Sequence, residues 1–169
     1  MPDTFIKIAS VTVGSGGASS IDFTSIPSTY TDLCVKLSVR NNRATVGASM
    51  LMKINTSSAN FTTRVLYGSG SAAVSTSSST GFVAYVDGGN ETASTFSNTE
   101  IYLPNYAGSS NKSYSVDTVE ENNATEAYAM FTAGLWSQTT AINGLSFYDA
   151  SAGTISQYST AVLYGIKSS

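Results

Sequence analysis

Histidine is absent from the 169 residues, and cysteine occurs once, as Cys34. No intrachain disulfide can form, no cysteine- or histidine-ligated zinc site can be assembled, and Ser-His-Asp and Cys-His nucleophile systems are excluded. Carboxylates, lysine and tyrosine are left as acid–base candidates. Charge is also scarce. Asp, Glu, Lys and Arg make up 11% of the chain, eight scattered basic residues standing against eleven acidic ones. Phosphate backbones are gripped by clustered Lys and Arg, so a net charge of −3 argues against a nucleic-acid partner. No apolar run approaches the ~20 residues of a transmembrane helix. The start "MPDTFIKIASVTVGSGG" lacks the basic opening and unbroken apolar stretch of a secretory signal. A chain made in the cytoplasm, without membrane insertion, is the expectation.

What the chain has instead is hydroxyl groups. Ser and Thr supply about 30% of it, so polarity is carried by neutral side chains where an ordinary domain uses charges. Its length fits a single domain, residues 1–169. Period-two alternation recurs throughout. In "LCVKLSVR", Leu33, Val35, Leu37 and Val39 share one face, and Cys34, Lys36, Ser38 and Arg40 the other. "MLMKI" groups Met50, Met52 and Ile54, and "TAVLYGIK" groups Thr160, Val162, Tyr164 and Ile166. Further strands are expected in "FIKIASVTV", "SIDF", "TRVLYG", "GFVAYV", "TEIYLP", "KSYSVDTVE", "AYAMFTAGLW" and "GLSFYD". The first changes parity after Ile8, which predicts a β-bulge near Ala9.

Between these runs lie Gly, Ser and Asn turns. "PSTYTD" suits one helical turn led by Pro27. "GSGSAAVSTSSSTG", residues 68–81, is low in complexity and predicts a flexible loop. The tetrapeptide "VLYG" occurs twice without matching flanks, so no duplication is inferred. Strands every 10–15 residues with short connections predict an all-β, two-sheet antiparallel β-sandwich of the jelly-roll kind. Residues 1–10 form either an N-terminal arm or a strand that pairs with a partner subunit.

Four acidic residues gather between Asn98 and Asn123: Glu100, Asp117, Glu120 and Glu121. The nearest approach to the Glu-x-Asp-x-x-Glu strand of sandwich-fold glycosidases is "SVDTVE", where Ser115 stands in the nucleophile's place and Asp117 and Glu120 fall on opposite faces of a strand. No enzymatic activity is expected. "DGGNE" at Asp87–Glu91 lacks the alternating oxygen ligands of a calcium loop, and "GSGGAS" is followed by no helix pattern, so both read as turns. Catalytic, cofactor and metal residues are expected to be none. Cys34 reads as a small strand residue with no motif to activate its thiol.

Aromatic residues carry the remaining binding chemistry. Tyr102 and Tyr106 flank "LPN" and Trp136 ends "AYAMFTAGLW", which makes these three the candidate ligand-binding residues should the chain stack on a sugar, although a core or subunit-contact role is the first expectation for Trp136.

The runs "ASVTVGSGGASSIDFTSIPSTYTDLCVKLSVR", "FSNTEIYLPNYAGSSNKSYSVDTVEENNATEAYAMFTAGLWS" and "QYSTAVLYGIKSS" resemble small all-β virion structural proteins of tailed bacteriophages, especially marine and cyanobacterial ones. The resemblance implies a virion protein assembled in the host cytoplasm. Its first expectation is a capsid decoration (cement) protein that binds the major capsid protein, other virion proteins and neighbouring copies as a homo-oligomer such as a trimer. The alternative is a tail or neck fibre module that recognises a host surface glycan. The resemblance implies no cofactor and transfers no site residues.

Overall fold

The computed structural model describes residues 4–123 and 126–167. Twelve strands and no helix are present among them: β1 (Phe5–Thr12), β2 (Ser20–Phe23), β3 (Asp32–Val39), β4 (Ala48–Ile54), β5 (Phe61–Gly68), β6 (Ala73–Ser78), β7 (Phe82–Val86), β8 (Ser97–Leu103), β9 (Lys112–Glu120), β10 (Tyr128–Trp136), β11 (Leu145–Asp149) and β12 (Thr160–Ile166). They form two antiparallel sheets. The larger has the order β1-β12-β3-β8-β9-β10-β5-β6 and the smaller β2-β11-β4-β7. No helix among the described residues is long and apolar enough to cross a membrane.

Alternation decides which side of each strand is buried. In β3, Leu33, Val35, Leu37 and Val39 are all within 2% of complete burial, and in β4 Met50, Met52 and Ile54 are equally enclosed. Residues from both sheets meet in one hydrophobic cluster, with Ile101 and Val116 of the large sheet and Ile21 and Phe147 of the small one among its members. The expected β-sandwich therefore forms, held by apolar area removed from water between two layers.

Several expectations change. The stretch 68–81 is not a loop throughout: Ala73–Ser78 becomes edge strand β6, paired with β5 from Gly68↔Ala73 to Thr63↔Ser78. The amino-terminal segment forms β1, which stands at one edge of the large sheet. Phe5–Thr12 pairs antiparallel with β12, with the predicted irregularity between Lys7 and Ala9; Met1 to Asp3 lie outside the described residues. "PSTYTD" makes no helical turn before β3 begins. Its backbone groups are taken up by tertiary partners: the Tyr106 hydroxyl donates to the Pro27 carbonyl and accepts from the Tyr30 amide.

On β12 the expected group of Thr160, Val162, Tyr164 and Ile166 does share one side, but that side is half-buried. Ala161 and Leu163 face the core. Cys34 is placed on the outer side of β3 yet is buried, lying in register between Tyr102 of β8 and Tyr164 of β12. Burial first, and Glu100 second, push its thiol up to about 11, so it stays protonated and unreactive at neutral pH.

Lys112 opens β9 with only 1% of its surface exposed. Its ammonium donates to the carbonyls of Gly108, Ser110 and Thr139, which ties the turn after β8 to the segment after β10. Lys112→Met keeps the stem and strands three carbonyls. An expected loss of about 1–3 kcal/mol follows, to be read from the denaturant midpoint.

Candidate functional site

The four acidic residues of the 98–123 stretch separate in space. Glu100 pairs across strands with Lys36 at 2.6 Å, both side chains about half exposed, and such a pair contributes little. Asp117 points outward, and Glu121 is exposed and accepts from the Asn123 amide at 2.9 Å. Glu120 alone turns inward, with 0% exposure. Asp117 and Glu120 therefore stand on opposite faces of β9, and the two-carboxylate geometry of a glycosidase does not form from them.

Glu120 has other company. It ends β9 of the large sheet, directly across the sandwich rim from Asp87, which follows β7 of the small sheet, and Glu91 completes the group from the loop beyond. Candidate ligand oxygens of the three residues all lie within 4.8 Å of one another, and all three side chains are buried.

The local sequence explains how the loop reaches this position. The Asp87 carbonyl accepts from the Asn41 amide at 2.7 Å, and the Gly89 amide donates to the Arg43 carbonyl at 2.6 Å. Gly88 packs so closely that a Cβ would stand 2.0 Å from the Thr45 carbonyl oxygen, so only glycine fits. Glu91 is then clamped through both oxygens, accepting from the Gly47 amide at 2.6 Å and the Gly88 amide at 2.8 Å. Arg40 holds the rest of the loop by donating to the carbonyls of Glu91, Thr92 and Thr95. Gly88→Ala is expected to displace this loop and to destabilise by about 1–3 kcal/mol, measurable as a lowered melting temperature.

The guanidinium of Arg40 makes none of its hydrogen bonds to a carboxylate. Neither of the two ion pairs among the described residues, Lys36–Glu100 and Arg43–Asp149, involves the cluster. Asp87 accepts one bond, from the Thr95 hydroxyl at 2.9 Å, through Oδ1. Its Oδ2 and both carboxylate oxygens of Glu120 are buried with no geometric partner. Aromatic rings gather nearby: Tyr128, in register with Glu120, packs against Tyr85 with ring centroids 5.1 Å apart and against Tyr67 at 5.7 Å.

Three carboxylates in so dry a place cannot all carry charge unaided. Burial first, then the close approach of the Glu91 carboxylate and repulsion from Asp87 and Glu126, pushes Glu120 up to about 10. Asp87 is pushed up to about 6 by burial, against the Thr95 bond and the Arg40 charge. Such a group can do two things: retain protons between paired carboxyls, or exchange them for a cation.

The aromatic candidates are also separated. Tyr106 is 0% exposed and Trp136 3%, the latter packed on Phe61 with centroids 6.5 Å apart. Both belong to the core, because the strand alternation that points Trp136 inward leaves no face for a sugar. Tyr102 reaches solvent on the outer face of β8 and donates to Asp32 at 2.7 Å. The three do not make one platform.

Exposed apolar side chains occur elsewhere on that outer face. Phe131 of β10 and Leu66 of β5 are opposite each other and 53% and 57% exposed; Val119 of β9, opposite Ala129, is 47% exposed. Together with Ala73 of β6 they line a shallow groove of about 410 Å³. Sequence reasoning does not single these out, since one apolar residue on a wet face is unremarkable until the register of three strands sets several side by side. Comparison with family models, with curated proteins and with solved structures finds no match for this chain.

Proposed function

We propose that the chain is a bacteriophage virion structural protein that works through shape and contact area, as a capsid decoration protein on the head exterior. The observation that carries this reading is the apolar groove of Leu66, Val119 and Phe131 on the outer face of the large sheet. It lies beside β6, an edge strand of sequence AVSTSS that has no charge, proline or bulge to discourage pairing. A surface of this kind suits repeated docking against virion proteins and neighbouring copies.

The strand order supports a jelly-roll reading of the sandwich. Taking β5–β6 and β9–β10 as inserted hairpins leaves β1-β12-β3-β8 opposite β2-β11-β4-β7, an eight-strand interleaving in which each strand of one sheet adjoins its sequence neighbour in the other. Both insertions extend the same sheet, and together they supply the groove. In this reading the hairpins are the added docking surface and the eight strands the scaffold.

The test is a paired substitution, Leu66→Asp with Phe131→Asp. Both side chains are more than half exposed, so stability should change by only about 0.5 kcal/mol per site. Binding to particles from which the protein has been stripped should fall at least tenfold. Undiminished binding by a folded double variant would remove the groove from the account.

A further inference from the structure

We propose that Asp87, Glu91 and Glu120 form a binding site for a divalent cation of the calcium class, which ties the two sheets together at one rim of the sandwich. The donor set is three carboxylates, with no imidazole in the chain and its one thiol elsewhere on β3, so the site offers hard oxygen and excludes soft ligation. Ca–O distances of 2.3–2.6 Å place opposed ligand oxygens roughly 4.6–5.2 Å apart, and the oxygens here lie within 4.8 Å of one another.

The second observation is the orphaned oxygens: Glu120 is fully buried with neither oxygen partnered, and Asp87 is fully buried with Oδ2 unpartnered. Buried polar atoms in folded proteins are almost always satisfied, and a bound ion is one of the explanations an exception calls for. Glu91, by contrast, is fixed by the Gly47 and Gly88 amides, each of its oxygens keeping lone-pair capacity for a metal. One arm is therefore preset and two are unsatisfied. The guanidinium of Arg40, the nearby fixed cation, is committed to loop carbonyls and to the Thr95 hydroxyl. Calcium fits better than magnesium because magnesium holds several waters, whereas the three side chains that would supply the ligands are almost completely buried.

The test uses the full chain, treated with EDTA, exchanged into chelator-free buffer at pH 7.5, and titrated with calcium chloride by calorimetry and by thermal melting. One calcium per chain is expected, with a melting-temperature rise of roughly 5–10 °C at about 100 times the dissociation constant. Sodium chloride at equal ionic strength should give no such rise. Glu120→Gln and Asp87→Asn should each weaken calcium binding at least tenfold, while Glu100→Gln, on the exposed face, should leave it unchanged. Absence of saturable calcium binding by the unsubstituted chain overturns the proposal, and so does a calcium-induced shift that persists in both cluster variants. A magnesium response as large as that of calcium overturns the calcium-class assignment.

Discussion

Gly134→Ala is expected to destabilise the protein by about 1–3 kcal/mol, toward the upper end of that range, although it adds a single methyl group. Gly134 lies in the middle of β10, in register with Tyr114 of β9, and the Tyr114 ring lies across it. A Cβ at Gly134 would stand 2.0 Å from the ring carbon Cζ. The ring cannot simply step aside. It is 3% exposed and packed edge-on to Phe61 with centroids 6.4 Å apart, and Phe61 in turn touches Trp136. Displacing Tyr114 therefore propagates across β9, β5 and β10. A drop in melting temperature of roughly 4–10 °C is expected for a chain of this length. In a Tyr114→Leu background the same substitution should be far milder, giving a coupling of at least about 1 kcal/mol in a double-mutant cycle. Additive effects would mean that the ring does not lie over the glycine.

Glu120→Gln is expected to act in the opposite direction when no divalent cation is present. A carboxyl raised from 4.5 to about 10 keeps in the folded state a proton that the unfolded chain releases. Its contribution is thus complete below pH ~4.5 and declines steadily as pH rises toward 10. Asp87, raised from 3.8 to about 6, adds a shorter decline between those values. The groups that face Glu120 are Glu91, Asp87 and Glu126, all of the same sign, with Tyr128 beside them and Arg40 reaching only Asp87. Glutamine removes the ionisation and retains a donor. In EDTA the variant should match the parent near pH 4 and exceed it by roughly 1–3 kcal/mol at pH 8. Denaturant midpoints across that range supply the measurement. With calcium bound the order reverses, because the parent then exchanges its proton for the metal and the variant cannot. A parent protein whose stability is flat from pH 4 to 8 in EDTA would show that Glu120 is not buried in this company.

The scaffold is readable in the sequence because its strands are amphipathic by alternation. Leu33 to Val39 and Met50 to Ile54 declare a buried side, and the parity change after Ile8 marks a bulge that the pairing of β1 with β12 contains. β6 carries no such signal. Its residues AVSTSS have no apolar side, and their extended state is imposed by the neighbouring β5. The repeated tetrapeptide shows the limit most directly. In β5, Val65 is buried and Leu66 exposed, whereas in β12 Leu163 is buried and Val162 half-exposed. Identical local chemistry is turned over by register, which only the surrounding sheet determines.

The same limit applies to the acidic group. Glu120 appears in the sequence beside Asp117 and Glu121, but alternation sends it to the opposite face from Asp117. Asp87 and Glu91 appear as a turn because their spacing alone makes no cation loop. They become a site when the close approach of Gly88 to Thr45 brings that turn beneath the end of β9. Tyr106 and Trp136 show the converse. Both stand near strand ends where a sugar-stacking role is conceivable, and both lie in the core, the place expected first for Trp136.

The claim that this chain acts by occupying a surface is tested most directly by counting it on purified particles from the cells that produce it. Quantitative mass spectrometry and an image of the particle should find copies in a fixed ratio to the capsid lattice, on its exterior, with the outer face of the large sheet against a neighbour. Recovery of the chain free in those cells and absent from mature particles would contradict the account.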